Sequence, residues 1–373
     1  MWFSIHLDFL RGMAALVVCA GHIRQLVLPP LTGGTGAGGL TIGDEAVMVF
    51  FVLSGYLVGL PILRTAFARH VVDDKKYIVD RLARLWTVLL PALAIGCAID
   101  IYGSTIFPRF YGPDILNPTS WTAFLGNLLF VQQLQGPIQP LGTNVVLWSL
   151  AYEFWFYVLA YLIAKAALRD KGWWLYAAAT IAMYAAFPVH FDFTFLLWLS
   201  PILLPGLVTA FITWAGWVVK PRSKWLLSVG AALAFVVLFG LTKKLTVSRY
   251  WGELFVVCIT NLLLLCLIVC WSSVAVQEKL NWVAKSYKAV AHSLSSVSYT
   301  LYLTHLPLVT LGTAYMKDAH VPAWAMFFIL FIASIVWAGF LYFLFERHTY
   351  KLRNFFYAKA QKPDLKRWAD RGM

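Results

Sequence analysis

Charge is what this sequence has least of. Only 13% of its 373 residues are charged, and acids are scarcer than bases, 17 Asp and Glu against 30 Lys and Arg. A soluble domain carries about 25% charged residues, so a globule surrounded by water is excluded. With 61% hydrophobic residues and a mean hydropathy of +0.73, the chain reads as an all-α polytopic membrane protein. A net charge of +13 in a soluble protein would point to nucleic acid. In a membrane protein it marks basic loops gathered on one face, and no nucleic-acid partner is expected.

Other absences narrow the chemistry. The five cysteines, Cys19, Cys97, Cys258, Cys266 and Cys270, lie in apolar runs without a CxxC or CxxH spacing, so they read as small core residues. There is no nucleophile elbow, no HExxH and no Gly-rich phosphate loop. No pair of histidines has ligand spacing within one helix, so no metal is expected. The first apolar run carries Arg11 and continues without a cleavage pattern, which reads as a retained first span rather than a signal peptide. No soluble domain, repeat or long linker stands out. The chain therefore divides into one transmembrane domain, 1–350, and a basic cytoplasmic tail, 351–373.

Ten apolar stretches fit the length and low charge of bilayer spans: 7–28, 43–64, 80–102, 144–166, 173–188, 194–218, 225–241, 252–272, 296–316 and 323–345. An even number puts both termini on one side, and the basic residues decide which. The loops after even-numbered spans, with the tail, hold 23 of the 30 Lys and Arg. The opposite loops hold five: Arg109, Lys243, Lys244, Arg249 and Lys317. By the positive-inside rule both termini are cytoplasmic. Within the longest outside segment, 103–143, the apolar stretch Trp121–Leu134 is short for a span and is either re-entrant or flat on the surface.

The first span carries Leu7-Asp8-Phe9-Leu10-Arg11-Gly12 and, further on, Gly21-His22. Eleven residues of helix place Arg11 and His22 about 16 Å apart along the axis, within about 20° of one face. Ionisable groups at membrane depth face a protein interior or a wet cavity, and they are functional by default. The plainer reading has Arg11 snorkelling to headgroups and His22 in an interhelical hydrogen bond. Running inward on the fourth span, Glu153 reaches a depth similar to that of His22. A carboxylate beside an imidazole fixes its tautomer and raises its basicity, so the expected pair is His22 as general base with Glu153 as its partner.

Other residues gather round these two. Phe50-Phe51-Val52-Leu53-Ser54-Gly55-Tyr56 holds a Ser-Gly step that permits close helix packing, with a pocket-lining Ser54 hydroxyl as the alternative. Arg81 and Arg84 share a helical face at the cytoplasmic mouth of the third span, suited to phosphate or, more plainly, to lipid headgroups. His305 lies mid-span, and Pro307 frees a backbone carbonyl nearby. Glu346 closes the last span and is expected to pair with Arg11, Arg81 or Arg84.

Taken together these stretches resemble the acyltransferase-3 family of integral-membrane acyltransferases. The resemblance rests on Leu7-Asp8 with Arg11-Gly12 and His22, on Phe50 to Tyr56, and on Arg81 with Arg84. It rests further on Trp148-Ser149-Leu150 with Glu153 and Phe156-Tyr157, and on Ser298-Tyr299, Leu301-Tyr302 and His305-Leu306-Pro307. One departure is Glu153-Phe154, where the family often has two adjacent acids. The resemblance implies transfer of an acyl group, usually acetyl, from cytoplasmic acyl-CoA to a carbohydrate hydroxyl at the outer face of a bacterial inner membrane. It implies catalysis by His22 and Glu153, coenzyme binding by Arg11, Arg81 and Arg84, and no permanently bound cofactor. Ser54, Ser149, Tyr157, His305 and Arg24 are the further candidates for the pocket and substrate.

Acetyl is the first expectation for the donor. Succinyl is second, because Arg24 near His22 could pair with its free carboxylate; the plainer reading has Arg24 reaching the outer headgroups. The acceptor would be a lipid-linked or exported surface polysaccharide. Two other classes are open: a transporter or flippase for a lipid-linked sugar, which would explain ten spans with intramembrane His and Glu, and a non-catalytic scaffold of an envelope polysaccharide complex, which would need neither His22 nor Glu153.

Overall fold

The computed structural model describes residues 2–28, 42–113, 115–132, 138–169, 171–186, 194–203, 230, 233 and 282–360. Among the described residues there is no strand. The helices are α1 (Trp2–Val27), α2 (Ile42–Ser54), α3 (Leu60–Arg69), α4 (Asp74–Ile106), α5 (Trp121–Leu128), α6 (Leu147–Leu168) and α7 (Trp173–Ala186). They continue with α8 (Thr194–Leu203), α9 (Trp282–Asp318), α10 (Ala323–Leu344) and α11 (Thr349–Ala360). Five helical stretches are long and apolar enough to cross a bilayer: Ile5–Val27, Ala46–Ala68, Asp74–Ile106, Leu147–Leu168 and Ala323–Ala358. The chain is an integral membrane protein. The spans expected at 225–241 and 252–272 lie outside the described residues apart from Gly230 and Leu233, as do the second half of 194–218 and the end of the basic tail.

Local chemistry sets the helix ends. Asp73 caps α4 by accepting the Lys76 N–H at 2.9 Å, and Ser120 caps α5 by accepting that of Ala123 at 3.2 Å. The second apolar stretch runs through a π-helical turn, Gly55–Gly59, where α2 passes into α3. A Cβ on Gly55 would overlap the carbonyl oxygen of Trp198, so the glycine is what lets α8 lie against this turn. Ser54 and Gly55 thus divide the two roles open to them, the glycine packing and the serine hydroxyl facing a pocket.

Helix α9 lies between α1, α4 and α10. Its buried polar residues include Ser298, Thr304, Thr310 and Thr313, each donating to a backbone carbonyl three or four residues earlier. Pro307 has no N–H to give the carbonyl of Leu303, and that carbonyl accepts instead from Asn144 Nδ2 at 2.8 Å. The residue before Asn144, Thr143, is tied to α4: its N–H and its hydroxyl each donate to the buried Asp100 carboxylate at 2.8 Å. The adjacent Gly142 has φ +59°, and a side chain there would run into Asp100. On α10, Trp324, Phe328, Ile332, Val336, Phe340 and Phe343 are all exposed, the surface that lipid covers.

The described part of the apolar stretch at 121–134, residues 121–132, begins with α5 and packs beside α4. Trp121, Leu125 and Leu129 form an exposed apolar stripe along one face, with Trp121 78% exposed. The carbonyls of Leu128 and Phe130 accept from Trp86 Nε1 at 3.2 Å and Trp155 Nε1 at 2.8 Å. Trp86 is twenty residues from the Ile106 end of α4, about 30 Å along its axis. These two bonds hold the segment against α4 and α6.

Candidate active site

A cavity of about 50 Å³, room for a few water molecules, opens between α1, α2, α4, α6 and α9. Six of the residues singled out from the sequence line it: Arg11, Ser54, Arg84, Ser149, Glu153 and Tyr157. The remaining wall is largely aromatic and aliphatic, with Phe50, Phe51, Leu150 and Tyr302 prominent. Apolar walls lower the local dielectric and strengthen every charge interaction inside.

Glu153 sits at the centre of the polar side. Its Oε1 accepts from the Ser54 hydroxyl at 3.2 Å and from the Tyr157 hydroxyl in a short bond. Tyr157 follows Glu153 by four residues, one turn of α6, which is why the two side chains meet. Glu153 and Glu346 are the acids whose charges act on Arg84. Glu346 also acts on Arg11, and its Oε2 accepts from the Thr300 hydroxyl at 2.5 Å. Its contact is therefore a hydrogen bond to α9, with the arginines as charged neighbours rather than as the expected ion pair.

Arg11 is held by α9. It donates to the Ser295 carbonyl at 3.1 Å and to the Ser295 hydroxyl, while that hydroxyl donates to Asp8 Oδ1 at 2.9 Å. Asp8 lies 3.9 Å from Arg11, one turn away on α1. Arg81 takes a different position from Arg84, three residues on. Its guanidinium stands 5.8 Å from the ring centroids of both Tyr77 and Tyr157. Arg84 faces the cavity and Arg81 backs its tyrosine wall. Arg24 stands in the last turn of α1, outside the cavity lining.

The expected His22–Glu153 pair does not form. The hydrogen-bond partner of His22 is His305: Nδ1 of His22 lies 3.0 Å from Nε2 of His305, with ring centroids 5.2 Å apart and planes at 29°. His305 is fully buried, and its Nδ1 lies 2.8 Å from the Leu301 carbonyl. Equal depth on two helices does not make them neighbours. Helix α1 packs against α9, α2 and α10, whereas α6 packs against α7 and α3 with a small contact to α2. The side of α1 that carries His22 therefore faces α9.

Neither His22 nor His305 is among the residues that line the cavity. Tyr302 lines the cavity and bonds Ser149 at 2.5 Å, and it precedes His305 by one turn of α9. Sequence reasoning passed over Ser295, Thr300 and Asn144. A serine or threonine in an apolar helix carries no mark to separate a partner for Arg11 or Glu346 from ordinary packing.

A family profile described as an acyltransferase domain matches residues 5–343. A Staphylococcus aureus (strain COL) protein named "Putative O-acetyltransferase" is 24% identical over 366 residues, covering 91% of this chain and 56% of its own length. The acyltransferase MdmB of Streptomyces mycarofaciens is 29% identical over 180 residues, 47% of this chain and 43% of its own length. The chain thus spans about half the length of these curated relatives. No solved structure matches. With the profile covering nearly the whole chain, and with Arg11, Arg84, Glu153 and Tyr157 gathered round one cavity in the membrane, this chain belongs to the acyltransferase-3 family of integral-membrane acyltransferases.

Proposed function

We propose that this protein moves an acyl group, acetyl ahead of succinyl, from cytoplasmic acyl-CoA to a hydroxyl of a lipid-linked or exported polysaccharide. The observation that carries the reading is the convergence of Arg11 and Arg84 on a cavity whose Tyr302 wall ends one turn from the His22–His305 pair. Guanidinium groups suit the phosphates of a nucleotide coenzyme. The excess of Lys and Arg in the loops at the Arg81 end supports a reading with that mouth in the cytoplasm and the His22 end towards the outside of a bacterial inner membrane.

In this reading His22 is the base. It takes the proton of the acceptor hydroxyl as the oxygen attacks the thioester carbonyl, and the imidazolium then protonates the departing thiolate. The products are the O-acyl sugar and free CoA. Glu153 keeps a role, though at another atom: it holds the Tyr157 and Ser54 hydroxyls and faces Arg84, so it shapes the coenzyme end of the cavity. In this reading the coenzyme is held by Arg11 and Arg84, with Arg81 supporting Tyr157.

Purified protein in nanodiscs, given radiolabelled acetyl-CoA and a membrane glycan extract, tests this. Label transfer to glycan by the wild type, with loss in a folded His22→Ala protein, supports the reading. Undiminished transfer by His22→Ala, or no consumption of acetyl-CoA by the wild type, overturns it. Mass spectrometry of the surface polysaccharide with and without the protein then reports the acyl group directly.

A further inference from the structure

We infer that His305 is a positioning residue that holds His22 in its Nδ1–H form and so turns the Nε2 lone pair of His22 into the proton acceptor. The inference rests on the proposed role of His22 as base and assigns the group that orients it. A backbone carbonyl only accepts, so the 2.8 Å contact between His305 Nδ1 and the Leu301 oxygen puts a hydrogen on that nitrogen. His305 is fully buried, and its polar contacts are the backbone carbonyls of Leu301 and Tyr302 and the ring of His22, with no carboxylate among its partners in the described residues. A buried charge without an acid partner is costly, so the ring is neutral and its Nε2 accepts.

The donor to that nitrogen is then Nδ1–H of His22, 3.0 Å away. A neutral imidazole carries one hydrogen, which leaves Nε2 of His22 with a free lone pair. The free ring in water favours the opposite form, with hydrogen on Nε2, so the protein imposes the tautomer. The arrangement does for His22 what a carboxylate does in a Ser–His–Asp triad, without placing a net negative charge in the bilayer. When His22 gains a proton at Nε2, its Nδ1–H bond to His305 persists and the new charge leans on a neutral acceptor.

The backbone round His305 is braced for this. Pro307 frees the carbonyl of Leu303, and Asn144, three residues before α6, captures it at 2.8 Å. The Thr143 bonds to Asp100 fix the stretch that carries Asn144. The turn of α9 that bears His305 is thus tied to α6 and, through Thr143, to α4.

Nitrogen-15 NMR of the full-length protein, labelled in histidine and held in nanodiscs at a pH where its rings are neutral, reads the tautomer. A His22→Gln spectrum assigns the signal among the eight histidines. The expected result is a protonated Nδ1 and a bare Nε2 at His22 in the wild type. In His305→Leu the signal moves to the Nε2–H form, and kcat falls about 100-fold with KM for acetyl-CoA changed less than about twofold. In His305→Gln, whose amide oxygen stands near the lost Nε2, the Nδ1–H form and part of kcat return.

An Nε2–H ring at His22 in the wild type overturns the inference, and so does a tautomer unmoved by His305→Leu. Should His305→Leu fail to fold, the wild-type spectrum and His305→Gln still decide. Full transfer by His22→Ala with the tautomer as expected would sink the proposed base and leave the histidine pair as assigned.

Discussion

The ring of Tyr157 is flanked by the guanidinium of Arg81, 5.8 Å from its centroid, while its hydroxyl donates to Glu153. One side chain thereby links a cation behind the wall to a carboxylate inside the cavity. Removing the hydroxyl and removing the ring should have separable effects.

Tyr157→Phe keeps the face that Arg81 stands over and strips Glu153 of one donor. A buried hydrogen bond to a charged acceptor contributes about 1.5–3 kcal/mol. The expected outcome is a folded protein whose affinity for CoA, measured by calorimetry, falls about tenfold. Tyr157→Leu, which also removes the ring, should lower it further and should lower thermal stability.

Arg84 and Arg81 are three residues apart, yet the cavity includes only the first. Arg84→Gln should weaken CoA binding by about 10- to 100-fold and flatten its dependence on salt, because one charge-assisted phosphate contact is lost. Arg81→Gln should cost well under tenfold. Equal effects of the two would argue that the coenzyme phosphates reach past the tyrosine wall.

Asn144→Leu leaves the Leu303 carbonyl without a donor inside the membrane. An unsatisfied buried carbonyl costs about 1–3 kcal/mol, so the midpoint of thermal unfolding should fall by several degrees. If the brace matters to His305, the variant should also lose kcat at temperatures where it remains folded. Unchanged stability would mean that another donor reaches the Leu303 carbonyl.

Much of this molecule is legible along its helices and little of it around them. The residue count between Arg11 and His22, the spacing of Glu153 and Tyr157, and the carbonyl freed by Pro307 follow from helical geometry, and the structure uses all three. What depth cannot supply is direction. His22 and Glu153 lie on helices that are not packed side by side, so one faces α9 and the other faces Arg84. Arg81 and Arg84 illustrate the same limit, since a 100° step per residue decides which of them meets the cavity. The capture of Leu303 by Asn144 joins positions 159 residues apart and leaves no local mark.

The hydroxyls of Thr304, Thr310 and Thr313 are turned back onto carbonyls of their own helix. To the surrounding protein each such threonine presents a methyl group, so α9 packs as oil although its composition reads as mixed. It is accordingly absent from the five stretches that qualify as membrane-crossing by apolarity alone. Among the described helices, α9 is packed against α1, α4 and α10, and it is this enclosure that lets it carry oxygen-bearing side chains which a hydropathy ruler scores as polar.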